Sequence, residues 1–114
     1  MGYRPESWHQ KKITEYLEKE GYFVVKLVQT NKNGIPDLFG VHPTLPNIWC
    51  EVKREDGHAR PLQQAMQEIL YKYGQISFIS YGFTHFKHQY NESDKVRRKY
   101  ARPDSYSSTE TDIF

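Results

Sequence analysis

The chain has 114 residues, of which 37% are hydrophobic and 15% aromatic, with a net charge of +2. That length fits one domain with a core of its own, and no apolar run approaches the ~18 residues a membrane span needs. The N-terminus lacks the apolar stretch of a secretory signal, and the single Cys50 has no partner for an internal disulfide, so a reduced, buried thiol and an intracellular, cytoplasmic setting are expected.

Charge is unevenly spread. Residues 1–102 hold all 16 Lys and Arg against 11 acidic residues, a surplus of five, whereas residues 103–114 hold Asp104, Glu110 and Asp112 and no base. A mildly basic body permits a phosphate-backbone partner without requiring one.

Taken in chain order, the periodicity predicts a helix over Glu6 to Glu20, with Glu6, Gln10, Ile13 and Leu17 on one stripe and Tyr16 beside it. Two polar residues thus fall where core residues belong. Ser7 with Gln10 can form a capping box, and Glu6 suits a helix N-terminus electrostatically; alternatively, Glu6 faces the sheet and helps hold a cation or its waters. Gly21 ends this helix, and Tyr22 to Val28 reads as a strand, followed by a polar loop from Gln29 to Gly34.

Pro36 to Val41 and Asn47 to Lys53 read as two strands joined by a turn bracketed by Pro43 and Pro46. A hairpin centred on Thr44 sets Asp37 opposite Glu51 and Phe39 opposite Trp49, an aromatic pair that holds the register. Strand alternation then turns Asp37, Glu51 and Lys53 to one face and Ile48, Cys50 and Val52 to the other. Two carboxylates ~5 Å apart repel by roughly 3 kcal/mol at an effective dielectric near 20. A bound cation removes that penalty, and oxygen ligands of this kind suit Mg²⁺ or Mn²⁺ better than Zn²⁺. Either residue alone reads as a turn or a solvated strand face; the combination, with apolar neighbours around each charge, points to a metal-dependent phosphodiesterase.

After a loop from Arg54 to Arg60, in which Arg54, His58 and Arg60 are candidates for phosphate contact, a second helix is expected from Arg60 or Pro61 to Tyr73. Its expected buried stripe is Leu62, Met66, Ile69 and Tyr73, with Gln63 at the edge and able to reach inward. Gly74 closes it, and Ile76 to Ser80 is a fourth strand, parallel to its neighbour through the helical crossover. From His85 the chain turns polar. Lys95, Arg97, Arg98, Lys99 and Arg102 form a cluster readable as a DNA contact or a solvated face, on a short helix across Asp94 to Tyr100. His85 and His88 lack a third ligand at zinc-like spacing, and Cys50 alternates away from Glu51, so neither a zinc site nor a cysteine nucleophile is expected.

Pro36-Asp37 followed by Glu51-Val52-Lys53 resembles the signature of the PD-(D/E)XK nucleases. With Gly34, Ile35, Leu38, Gly57, Pro61 and Gln63, and with Glu6, Gln10 and Leu17 upstream, the chain resembles the VRR-NUC family within that superfamily over Pro5 to Ser80. The resemblance implies an α/β fold with a restriction-endonuclease-like core, a mixed four-stranded sheet flanked by helices, over residues 1–82. Residues 83–102 are then a polar, basic extension and 103–114 a flexible acidic tail. It further implies a DNA endonuclease in which Asp37, Glu51 and the Val52 carbonyl hold Mg²⁺ or Mn²⁺ with Glu6 nearby. Lys53 positions the attacking water, and Gln63 orients Lys53 or that water. Small stand-alone members are similar to phage proteins that act on branched DNA, a Holliday junction or flap, as homodimers. The competing readings are a catalytically inactive nucleic-acid-binding module and a general repair or restriction nuclease.

Overall fold

The computed structural model describes residues 2–103. Helix α1 (Glu6–Lys19) leads to strand β1 (Phe23–Lys26), followed by β2 (Leu38–Val41) and β3 (Ile48–Lys53). Helix α2 (Pro61–Lys72), strand β4 (Ile76–Tyr81) and helices α3 (Phe83–Glu92) and α4 (Asp94–Lys99) complete the order. The sheet runs β1-β2-β3-β4, antiparallel between the first three strands and parallel between β3 and β4. This is an α/β fold with a mixed four-stranded sheet flanked by helices.

The hairpin register is the expected one: Phe39 pairs with Trp49, and their rings lie 4.2 Å apart. The aromatic pair and the alternation of the buried Ile48, Cys50 and Val52 agree on one register, and a one-residue slip would expel all three from the core. The first two strands are shorter than predicted, β2 beginning at Leu38 because Pro36 has no N–H for the ladder.

Both long helices are rotated from the stripes read in the sequence. In α1 the buried residues are His9, Ile13 and Leu17, while Glu6 is exposed; the N-cap is Pro5 with no side-chain cap, so the Ser7–Gln10 capping box does not form. In α2 the buried residues are Met66 and Leu70, whereas Leu62, Ile69 and Tyr73 are 58%, 44% and 79% exposed. A helix with apolar residues on several sides leaves its phase open until a partner surface selects one.

The principal core lies between the sheet and the pair α1 and α3. Ile13 and Leu17 from α1, Leu38, Ile48, Cys50 and Val52 from the sheet, and Phe86 and Tyr90 from α3 form one buried cluster. Residues 83–102 are therefore no appendage: Phe86 is fully buried, and Tyr16 meets the rings of Phe83, Phe86 and Tyr90 edge to face. The expected acidic tail beyond Pro103 lies outside the described residues.

The basic cluster is largely structural. Arg97 is 4% exposed, stacks 3.8 Å over Tyr90, and donates to the Tyr90 hydroxyl and carbonyl and to Ser93 Oγ. Arg98 pairs with Asp94, and Arg102 reaches the carbonyls of His42 and Pro43. A buried guanidinium with three acceptors leaves those acceptors unpaired when it is removed. Arg97→Met is thus expected to lower stability by roughly 2–4 kcal/mol in urea unfolding. A DNA-contacting arginine would instead change binding and leave the unfolding midpoint in place.

Candidate active site

Asp37, Glu51 and Lys53 meet on the sheet face that α2 flanks. Gly34 sets the approach: it takes φ +85°, and a Cβ there would stand 2.5 Å from the Leu62 carbonyl oxygen at the start of α2. The loop can press against α2 only because that position lacks a side chain. Gly34→Ala combines left-handed strain with a backbone clash, and an expected loss of about 2–4 kcal/mol is readable as a lowered Tm.

Beyond Gly34, the buried Pro36 leads into Asp37, whose Oδ2 accepts the Val52 N–H at 2.9 Å. That bond takes up the Val52 N–H, which the Pro36 carbonyl would otherwise accept in the ladder. In the hairpin register Pro36 stands opposite Val52, and proline has no N–H to offer the Val52 carbonyl. The ladder thus supplies no donor there, and the carbonyl remains available as a hard oxygen ligand.

Glu51 is 2% exposed, and among the described residues its buried Oε1 has no hydrogen-bond partner. Lys53 Nζ stands 3.7 Å from Glu51 Oε2, a distance at which charge attraction acts but a good hydrogen bond does not. Burial, then a hydrogen bond shared with the Asp37 carboxyl and the charge of that group, push the Glu51 carboxyl up to about 8; Lys53 opposes the shift, and Glu6 adds to it. A carboxylate that has lost water and gained a negative neighbour, with an oxygen left unbonded, is poorly satisfied by its protein surroundings.

The donor set fits a hard divalent cation. Two carboxylates on one face, an unpartnered carboxylate oxygen and a carbonyl without a ladder donor are oxygen ligands of the kind Mg²⁺ and Mn²⁺ accept. Among the described residues no three His, Cys, Asp or Glu side chains converge, so the third protein ligand would have to come from the backbone.

Two residues assigned to the site from sequence take other positions. Glu6 is exposed in the first turn of α1 and reaches Glu51 only as a nearby charge. Gln63 is half-buried, and its Oε1 accepts the Arg60 N–H at 2.9 Å, capping α2; among the described residues no hydrogen bond joins it to Lys53. Arg54, a candidate for phosphate contact, is held by Asp56 at 2.7 Å, while His58 and Arg60 are exposed. Cys50 sits on the opposite face, donates to Ser80 Oγ, and is pushed by burial up to about 12, which leaves it a packed thiol.

His9 is the residue that the sequence reading passed over. It is 2% exposed; its Nδ1 accepts the Phe83 N–H at 3.0 Å, so Nε2 carries the ring proton of the neutral form, and Nε2 lies 2.9 Å from Glu55 Oε1. That approach is off the line of a good hydrogen bond, and it counts here as a polar contact. A stripe drawn through positions 9, 13, 16 and 17 finds His9, whereas one drawn through 6, 10, 13 and 17 excludes it.

A groove of about 850 Å³ is lined by Leu45, Tyr71, Gln75, Val96 and Tyr100 among others and includes none of Asp37, Glu51 and Lys53. Among the described residues no helix is long and apolar enough to cross a membrane. The chain matches no protein-family model and no curated protein.

Proposed function

We propose that this protein is a Mg²⁺- or Mn²⁺-dependent DNA endonuclease of the PD-(D/E)XK type and of the VRR-NUC family within it. The observation that carries the reading is Glu51: a buried carboxylate beside Asp37, with one oxygen unpartnered, on the face that also presents Lys53. Structural carboxylates are usually satisfied by donors. One held unsatisfied beside another carboxyl is a common arrangement where a cation or a reacting group completes the site.

In this reading Asp37 and Glu51 hold the ion together with the Val52 carbonyl, and exposed Glu6 contributes long-range negative charge. When bound, the ion supplies Lewis-acid stabilisation of charge on the phosphate and makes a water more acidic. Lys53, tied to the same face by Glu51, orients the attacking water and offsets charge developing in the in-line displacement. Gln63 acts at one remove by fixing the start of α2, against which Gly34 and hence Asp37 are set.

The preferred substrate is branched DNA, a Holliday junction or flap, and the active form is a homodimer that offers two centres to two strands. The basic surplus of residues 1–102 supports a phosphate-backbone partner. The test is a cleavage panel of duplex, flap and four-way-junction DNA with Mg²⁺, with Mn²⁺ and with chelator, together with the mass in solution. Expected is metal-dependent cutting that favours branched DNA by a dimer. Equal affinity of a Glu51→Gln variant for junction and duplex, with a monomeric protein, removes the junction assignment. Cutting at full rate in chelator removes the metal centre.

A further inference from the structure

At the end of β3 where Lys53 lies, the molecule carries a surface that the catalytic groups do not use. Trp8 is half-buried on α1, with the Arg4 guanidinium 5.0 Å and the Lys12 ammonium 5.6 Å from its ring centre. Across from it, Lys87 sits 4.6 Å over the half-buried ring of Phe83 at the start of α3. His9 joins the two halves: its ring meets Trp8 edge to face at 5.1 Å, and its Nδ1 takes the Phe83 N–H. Among the described residues none of Arg4, Lys12 and Lys87 lies within ion-pair distance of a carboxylate. Glu55, an acid at this corner, lies 2.9 Å from His9 Nε2.

The surface borders the end of β3 that carries Lys53. Lys53 pairs with Tyr81, the Gly82 N–H donates to the Lys53 carbonyl at 2.8 Å, and Phe83 is the next residue. Any strand lying over Trp8 and Phe83 therefore passes close to the end of β3.

We propose that Arg4, Trp8, Lys12, Phe83 and Lys87 form a platform for single-stranded DNA, on which Trp8 stacks an unpaired base while the three cations meet phosphates. Arg4 and Lys12, which lie over the Trp8 ring, and Lys87, which lies over Phe83, swing from the rings to phosphates when a base stacks, and base stacking is independent of sequence. A duplex keeps its bases inside and would use the cations alone. The proposal deepens the nuclease reading, and rests on it for the role of the strand beside Lys53, by naming the unpaired arm of a branched substrate as what is gripped.

The experiment measures binding of a fluorescent twelve-nucleotide oligothymidine to the full chain in EDTA, by anisotropy and by tryptophan emission. Binding is expected to quench Trp8. Trp8→Ala is expected to weaken it by about 5- to 150-fold, the range for loss of one stacked base. Trp8→Phe keeps a stacking ring, so affinity stays within about 3-fold while the quench disappears. Lys12→Ala combined with Lys87→Ala is expected to lower the slope of log affinity on log salt by about 1.4, two phosphate contacts on a single strand. No binding, or binding that Trp8→Ala and the double lysine variant both leave unchanged, overturns the platform. So does equal affinity for a polyglutamate peptide of the same charge. Because cleavage plays no part in EDTA, a Trp8 quench without cutting in Mg²⁺ counts against the nuclease centre alone. Cutting with binding that ignores Trp8 counts against the platform alone.

Discussion

Glu51→Gln, Asp37→Asn and Lys53→Met are each expected to slow metal-dependent DNA cleavage by at least ~10²-fold while leaving circular dichroism and the unfolding transition cooperative. The replacements follow from the contacts. Asparagine keeps an oxygen to accept the Val52 N–H, which alanine at position 37 would leave unbonded. Glutamine keeps the volume of the buried Glu51 side chain but loses the charge that holds a divalent ion. Methionine preserves most of the Lys53 stem, whose side chain is only 12% exposed, and removes the ammonium. Charged groups that act on one transition state are not additive, so the double variants should be little slower than the singles. Gln63→Ala should cost less, about 10- to 100-fold, since Gln63 caps α2 and, among the described residues, hydrogen-bonds none of the three. Any of the three charged positions retaining near-normal cleavage in a folded variant would remove its assigned role.

Stability should fall as pH rises from about 5 to about 8, and added Mn²⁺ or Mg²⁺ should restore it at the upper end. Glu51 has a folded-state pKa raised to about 8, above the ordinary glutamate value. Between the two values the native state holds a proton that the unfolded chain has released, so the native state binds more protons and loses stability with rising pH. Above about 8 both states are ionised and the slope vanishes; below the ordinary value both are protonated and the full stability is present. The change is read as a Tm that falls steadily across this window. Cation binding to the ionised pair reverses the loss, so the ion-induced rise in Tm should be larger at pH 8 than at pH 5.5. Glu51→Gln should flatten the slope and abolish the ion effect together. A pH-independent Tm in the native protein would show that Glu51 is satisfied by groups other than a cation.

What the chain's own order determined is the part governed by short-range geometry. The alternation of Ile48, Cys50 and Val52 with Trp49, Glu51 and Lys53, and the symmetry of the hairpin about Thr44, put Asp37, Glu51 and Lys53 on one face, because strand period and turn position leave a single register. The parallel return of β4 after α2 follows from the length of the crossover. Tertiary structure decided which side of each helix is inside. Glu6 lay on the expected stripe of α1 and Gln63 at the edge of that of α2, yet His9 rather than Glu6 and Leu70 rather than Leu62 entered the interior, because the surfaces packed against each helix select the phase. It also decided the use of the last helices. Phe86 and Tyr90 sit in a stretch that reads as a polar extension, and packing against Tyr16, Tyr22 and Phe78, distant in the chain, makes them core. Contacts between residues seventy or more positions apart, such as His9 to Phe83, leave no periodic trace in a single sequence, since nothing local requires them.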